Sequence, residues 1–238
     1  NTQLGAENLI EGLELFSGKK NLTNEIVILN SYSITEKVIK ELDLGLSYFQ
    51  HGLFQTNEMF ENAPFIVKLD STHNQLIGKE FKIKIIDENK FKLSISVEDQ
   101  FPYNLELEKF EKSLLANINI DEIHRFGEKI SSDYYCFTIS KSLFFKSDKI
   151  TNNKTYSFKL HETDKLAHKL MNSVTINPIN KETSILKLNI KATNPKKNIN
   201  ILNKLTDIYI RNSLDEKNIM AVNTIYFIDE QLSITTDS

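Results

Sequence analysis

The stretch EFKIKIIDENKFKLSISV, residues 80–97, decides what kind of fold this chain adopts. Apolar and polar residues alternate strictly on both sides of the DEN triplet, and alternation places the two sets on opposite faces of a strand. Asp and Asn in the triplet favour a turn. The stretch therefore predicts an antiparallel hairpin whose buried face consists of Phe81, Ile83, Ile85, Phe91, Leu93, Ile95 and Val97.

Strand-like runs continue on both sides of this hairpin, whereas helical patterns lie nearer the chain ends. NLELEKF, DYYCFTIS and TYSFKL are typical of strands, and Cys136 within the second run is expected to be a small buried hydrophobe. NLTNEIVILNS, SITEKVIKELDL and TDKLAHKLMNS instead repeat apolar residues every three or four positions, which predicts helices. Ser33 with Glu36 predicts a capping box, and Gly45 a left-handed helix end.

A second hairpin and a long helix are predicted near the end of the chain. SVTINPIN and SILKLNIKA flank the turn NKET, with Leu186, Leu188 and Ile190 expected to form the buried face. The segment 199–232 then predicts one helix, about 50 Å long at 1.5 Å per residue. Since a small domain is only about 30 Å across, the second half of the helix cannot pack entirely on it.

The long helix carries two apolar stripes with different expected roles. Ile201, Leu205 and Ile208 are expected to anchor the helix to its own domain. The second stripe is expected to contact neighbouring protomers or a returning helix outside this chain, through Ile219, Val222, Ile225 and Tyr226.

Together these patterns predict an α+β protein. We expect an α/β base domain built from both chain ends, residues 1–63 and 161–238, which includes the long helix 199–232. Residues 64–160 are expected to form an inserted β-rich antiparallel module.

Composition excludes few functions. The chain has 238 residues, 40% hydrophobic and 26% charged, with a net charge of −3, as in an ordinary globular protein. Near-neutral charge and only two arginines, Arg125 and Arg211, argue against a nucleic-acid partner. No apolar run is long enough for a membrane span, and NTQLGAEN lacks the features of a signal peptide. A start on Asn and an end within a helical pattern suggest a piece of a longer protein.

No motif predicts a catalytic, cofactor-binding or metal site. The two histidines in HETDKLAH are seven positions apart, whereas a zinc-binding helix needs them four apart. Neither a glycine-rich phosphate loop nor a nucleophile elbow occurs. TNPKK has the composition to contact an anionic glycan, but a turn that caps the following helix is the favoured interpretation.

Two segments resemble the periplasmic part of Wzz-type polysaccharide chain-length determinants, in particular the exopolysaccharide co-polymerases of Bacteroidetes. The first holds NEIVILNSYS at Asn24–Ser33 and EKVIKEL at Glu36–Leu42, with Tyr32 where relatives often have Arg. The second holds the NPKK turn, ILNKL, and the elements around Asp215–Glu230. The resemblance covers about half of the chain, and the β-rich middle matches only loosely.

The resemblance implies a periplasmic domain of a bacterial inner-membrane protein, with membrane spans outside this chain. Such proteins form homo-oligomers, act as non-catalytic scaffolds, and control the length of a surface polysaccharide together with a polymerase and outer-membrane export components. Contact with the growing glycan stays open. Many relatives carry a cytoplasmic tyrosine autokinase domain, of which no Walker motif is present here.

Two other classes of protein are alternatives. A periplasmic adaptor of a secretion or efflux system also combines β modules with a long helix, but the chain has only seven glycines and four prolines for the lipoyl-like half-motifs. A carbohydrate-binding or hydrolytic domain often presents Trp and a carboxylate pair. Trp is absent from this sequence, although Tyr and Phe also stack on sugars.

Overall fold

The computed structural model describes residues 22–146, 154–180, 185–191 and 194–236. The helices of this part are α1 Leu22–Leu29, α2 Tyr32–Glu41, α3 Thr163–Ser173 and α4 Pro195–Thr236. The strands are β1 Leu46–His51, β2 Thr56–Glu58, β3 Phe65–Leu69, β4 Asn74–Gln75, β5 Glu80–Ile85, β6 Lys90–Gln100, β7 Tyr103–Asn104, β8 Lys109–Phe110, β9 Ala116–Arg125, β10 Lys129–Ser132, β11 Tyr135–Lys141, β12 Thr155–Leu160, β13 Val174–Pro178 and β14 Leu186–Ile190. Helices and antiparallel sheets make the protein α+β, as predicted.

The chain divides into two compact units. The helical unit comprises Asn1–Val38, His168–Ala192 and Asn198–Ser238, and the β unit comprises Ile39–Ala167 and Thr193–Lys197.

The hairpin predicted from residues 80–97 is confirmed in the β unit. Strands β5 and β6 pair antiparallel, with Ile83 opposite Leu93. The Asp87 carboxylate accepts hydrogen bonds from the backbone N–H groups of Asn89 at 2.7 Å and Lys90 at 2.8 Å, which fixes the turn. The predicted buried face is buried except for Ile85, which is half-buried.

Two antiparallel sheets form the core of the β unit. One has six strands in the order β2-β1-β12-β5-β6-β9, and the other has three in the order β10-β11-β3. Apolar side chains from both sheets share one core cluster. At its centre Phe81 stacks on Phe158 with ring centroids 4.8 Å apart, and Phe137 meets Phe81 edge-on at 5.0 Å. Cys136 is fully buried, as predicted.

The β unit covers more of the chain than residues 64–160. Strand β1 pairs with β12 along its full length, from Leu46 opposite Leu160 to His51 opposite Thr155. Residues 46–51 lie within the range 1–63 that was assigned to the base, because no local pattern indicates a pairing partner more than 100 residues away.

The ends of α2 differ from the prediction. The helix begins at Tyr32, so Ser33 lies inside it, and Ser31 is the N-cap that accepts the Ile34 N–H at 3.4 Å. At the other end Asp43, not Gly45, adopts the left-handed conformation, with φ of 51°. The Leu44 N–H then bonds to the Ile39 carbonyl at 3.0 Å, as in a Schellman motif. Asp tolerates this conformation better than most residues do.

The second predicted hairpin is present as β13 and β14, with Ile176 opposite Leu188. Leu186, Leu188 and Ile190 are only half-buried, and the buried side chains come from β13. Among the described residues β14 pairs with β13 alone, so its other edge is open. Residues 181–184, which include most of the predicted turn, lie outside the described residues.

The long helix is confirmed and is longer than predicted. It has 42 residues, about 63 Å at 1.5 Å per residue. Asn194 caps it, because its side-chain oxygen accepts the Lys197 N–H at 3.1 Å, and Pro195 occupies the first turn, where no N–H is needed. The described part of TNPKK, residues 194–197, is therefore a helix cap, as favoured. Ile201, Leu205 and Ile208 are at most 3% exposed, as expected of the anchoring stripe.

Candidate interaction surface

The second half of α4 is exposed along its whole length. Every residue from Leu214 to Thr235 is exposed, which gives a rod of about 33 Å at 1.5 Å per residue. We call these residues the distal segment. Its large apolar side chains are Leu214, Ile219, Met220, Val222, Ile225, Tyr226, Phe227, Ile228, Leu232 and Ile234.

All four residues predicted to contact a partner lie in the distal segment. Ile219 is 60% exposed, Val222 48%, Ile225 58% and Tyr226 71%. At 3.6 residues per turn they fall on one side of the helix, within about 120°. Exposed apolar groups of this size mark an interaction surface more often than a solvated one.

A second apolar line in the distal segment was missed from the sequence. Leu214, Ala221, Ile225, Ile228 and Leu232 follow at intervals of seven, four, three and four residues. This is the spacing of a coiled-coil core, with Asn218 at the position between the first two. We call this line the heptad seam. A search for a seven-residue repeat, instead of for the nearest apolar neighbours, would have found it.

The apolar residues of the distal segment are not confined to these two lines. Met220, Phe227 and Ile234 form a further line at intervals of seven residues. In the part of the chain that the structure describes, no helix is both long and apolar enough to cross a membrane.

The first half of α4 is held by polar contacts as well as by its buried stripe. The Tyr209 hydroxyl donates to the Glu25 carboxylate in α1, and the Lys37 ammonium in α2 donates to the Asn212 side chain at 3.1 Å. Burial and the adjacent Glu25 carboxylate raise the pKa of Tyr209 to about 12. The hydroxyl thus stays protonated and keeps donating at neutral pH.

A cluster of polar side chains in the β unit also has the composition of a functional site. The Thr72 hydroxyl donates to Asp70 at 2.8 Å, and the Lys129 ammonium lies 3.0 Å from the same carboxylate. These hydrogen bonds, with Thr72 contributing most, hold the pKa of Asp70 well below its usual range. The Gln75 amide donates to the Cys136 carbonyl at 2.8 Å. The cluster fixes the turn that follows β3, and the buried Cys136 thiol is inaccessible.

Two serine–histidine contacts bring together residues that are more than 100 positions apart. His51 Nε2 lies 2.8 Å from the Ser157 hydroxyl, and His161 Nε2 lies 2.9 Å from Ser47. The Ser157 hydroxyl also donates to Glu80 at 3.3 Å, and Ser47 to a carboxylate at 3.4 Å. In both contacts the carboxylate thus accepts a hydrogen bond from the serine hydroxyl. In a catalytic triad the carboxylate instead accepts one from the imidazole nitrogen that does not face the serine. Sequence spacing gave no sign of either contact.

The β unit also contains a cleft of about 600 Å³, within the range of ligand-binding pockets. Its lining is mainly apolar and includes the rings of Tyr48, Phe60, Phe65 and Phe144. Glu58 and Lys197 form an ion pair on its wall. The complete set is Leu42, Asp43, Leu44, Leu46, Ser47, Tyr48, Glu58, Met59, Phe60, Glu61, Ala63, Phe65, Ile66, Val67, Lys68, Leu69, Ser142, Leu143, Phe144 and Lys197. These residues come from four separate chain segments, so the sequence did not predict the cleft.

Among the described residues, no group of three His, Cys, Asp or Glu side chains is placed to hold a metal ion. No model of a known protein family matches the chain, and no curated protein matches it either.

Proposed function

We propose that this chain is a scaffold domain of a polysaccharide co-polymerase, which self-associates through the distal segment of α4. It regulates the length or export of a surface polysaccharide made by a separate polymerase. The observation that carries the proposal is the exposed, apolar distal segment. The resemblance of both chain ends to Wzz-type proteins supplies the biological setting, the periplasmic side of a bacterial inner membrane.

The exposed area of the distal segment indicates how many contacts it needs. The seam residues Leu214, Ile225, Ile228 and Leu232 are 46–59% exposed. Burying the exposed half of such a side chain contributes about 0.8–1.5 kcal/mol, so two paired seams contribute about 6–12 kcal/mol. Association costs about 4–15 kcal/mol. One seam therefore supports only weak pairing, and a stable assembly also uses the Ile219–Tyr226 side, as in a ring in which each helix meets two neighbours.

The proposal is tested by deleting the gene and separating the surface polysaccharide by length. We expect the normal length distribution to be lost while polymer synthesis continues, since a scaffold changes length control and not sugar chemistry. Restoring the gene should restore the distribution. An unchanged distribution in the deletion strain would contradict the proposal.

A periplasmic adaptor is the second candidate, because a compact β unit combined with a 42-residue helix also suits that class. An adaptor predicts the opposite pair of results in the same deletion strain. Drug efflux or protein secretion would fall, and polysaccharide length would stay normal. Release of reducing sugar by the purified chain would instead indicate a hydrolase.

A further inference from the structure

Two turns of the β unit carry the same pair of apolar residues at their corners. The first joins β1 to β2 through the two-residue loop Leu53–Phe54, which is closed by a hydrogen bond from the Gly52 N–H to the Gln55 carbonyl at 2.9 Å. A Cβ atom on Gly52 would lie only 3.0 Å from that carbonyl oxygen, so the turn is tight. Leu53 is 95% exposed and Phe54 101%. The turn therefore holds both side chains out in solvent.

The second turn follows β11. The Phe145 N–H donates to the Ser142 carbonyl at 3.2 Å, and the Phe144 N–H donates to the Ser142 hydroxyl at 3.0 Å. Leu143 and Phe144 thus occupy the two central positions of the turn, where they are 99% and 53% exposed. Turn corners normally hold Gly, Pro, Asn, Asp or Ser. Turn formation therefore gives no reason for a Leu–Phe pair at either corner.

Both turns lie at the same end of the β unit. Thr155 at the start of β12 pairs with His51, the last residue of β1 before the first turn. Its neighbour Lys154 lines a small cavity together with Phe144 of the second turn. The two turns are therefore neighbours in space. We call their four corner residues the apolar tips, which are Leu53, Phe54, Leu143 and Phe144.

Basic side chains outnumber acidic ones around the apolar tips. Among the described residues, the basic side chains of the adjoining strand ends and turns are Lys84, Lys90, Arg125, Lys141, Lys146 and Lys154. The acidic ones are Asp87, Glu88 and Glu128. This end of the β unit is therefore positively charged, although the whole chain has a net charge of −3.

We propose that this end of the β unit binds the surface of an anionic phospholipid bilayer, with the apolar tips inserted among the lipid headgroups. Leu and Phe side chains gain free energy when they leave water, and they are typical of the inserted face of proteins that lie on a bilayer. Each Lys or Arg near the surface adds attraction to the anionic headgroups. Insertion and charge thus act from the same end of the molecule.

The geometry favours a lipid surface over a protein partner. The side chains of Leu53 and Phe54 contact almost nothing of their own chain, and two separate turns project together. A protein partner would need two pockets at matching positions, whereas a fluid bilayer accepts protruding apolar groups in any arrangement. The basic border supplies the charge that complements anionic lipid. The inference does not rest on the proposed scaffold function, because it concerns other residues and is tested on vesicles alone.

The test uses a single tryptophan as a probe, because the chain contains none. Phe54→Trp places the probe at the apolar tips. Leu107→Trp is the matched control, since Leu107 is 57% exposed in the turn between β7 and β8. On addition of vesicles made of equal parts phosphatidylglycerol and phosphatidylcholine, the fluorescence of Phe54→Trp should shift to shorter wavelength as the indole leaves water. The fluorescence of Leu107→Trp should stay unchanged.

Sedimentation with the same vesicles measures the affinity of further variants. Leu53→Ser with Phe54→Ser should weaken binding about tenfold or more, because it removes the inserted apolar groups. Both side chains are exposed, so the circular dichroism spectrum should stay that of the parent chain, and the control Leu107→Ser should bind as the parent does. Lys84→Gln with Lys90→Gln should also weaken binding about tenfold or more. Vesicles of phosphatidylcholine alone should bind the parent chain more weakly.

Several outcomes would overturn the inference. These are no binding of the parent chain to the anionic vesicles, equal fluorescence shifts of the two probes, and equal affinity of the parent and the double serine variant. A third probe, Tyr226→Trp, reports on the distal segment, and a shift confined to it would assign vesicle contact to α4. A shift of Phe54→Trp that grows with protein concentration in the absence of vesicles would assign the apolar tips to a second copy of the chain.

Discussion

The two halves of α4 should respond differently to the same substitution. Ile208 in the first half is 1% exposed, and Ile225 in the distal segment is 58% exposed. We compare Ile208→Ala with Ile225→Ala, which remove the same atoms from the same helix.

The expected free energies follow from burial. Removing a buried Ile side chain leaves a cavity, and Ile208→Ala should lower the free energy of unfolding by about 2–5 kcal/mol. Ile225→Ala removes a side chain that is mostly in water, and Ala is a slightly better helix former than Ile. The second variant should therefore stay within about 0.5 kcal/mol of the parent chain.

Urea unfolding followed by far-ultraviolet circular dichroism measures both variants. Because the chain has two compact units, the comparison uses the transition that Ile208→Ala shifts. It is repeated at a low and a high protein concentration, since self-association through the distal segment would stabilise the parent only at the higher one. A cost for Ile225→Ala equal to that for Ile208→Ala at low concentration would refute the assignment of separate roles.

Three further predictions concern local interactions. Ser31→Ala should lower the free energy of unfolding by about 1 kcal/mol, because it removes the N-cap of α2. The control Ser33→Ala, inside the helix, should change the unfolding midpoint little. A larger effect of Ser33→Ala than of Ser31→Ala would restore the predicted capping box. The lowered pKa of Asp70 stabilises the fold above the unfolded value of about 3.9, and this stability is lost as pH falls through the folded value. The stability difference between the parent and Asp70→Asn should thus shrink in acid, and a constant difference from neutral pH to acid would contradict it. For the half-buried pair Glu58–Lys197, a double-mutant cycle with Glu58→Gln and Lys197→Met should give a coupling of about 1–2 kcal/mol, and additive effects would show that the pair does not interact.

Local patterns predicted the elements of the fold well. The hairpin at residues 80–97 followed from strict alternation, and the anchoring stripe of α4 followed from helical spacing, because both signals lie within a few neighbouring residues. The N-cap was misplaced because Ser31 and Ser33 both suit that position. Only the actual helix start at Tyr32 decides between them.

Long-range arrangement could not be predicted. Strand β1 was assigned to the base, because its partner β12 lies more than 100 residues away and carries no mark of the pairing. The same limit hid the cleft, whose lining comes from four separate chain segments. The exposure of Ile219, Val222, Ile225 and Tyr226 could be predicted because it follows from the length of one helix. Their contact with a partner stays a prediction. Ile228 and Leu232 were missed because only nearest-neighbour spacing was considered.

The most direct test of the proposed function changes the distal segment in the intact protein. Ile219→Asp with Val222→Asp replaces two exposed apolar side chains, and Asn223→Asp with Gln231→Glu adds the same charge to the same exposed segment without removing an apolar group. The length distribution of the surface polysaccharide is measured in cells that carry each protein. The proposal predicts an altered distribution with the first pair and a normal one with the second, while the purified first variant keeps the circular dichroism of the parent chain. A normal distribution with Ile219→Asp and Val222→Asp would contradict it.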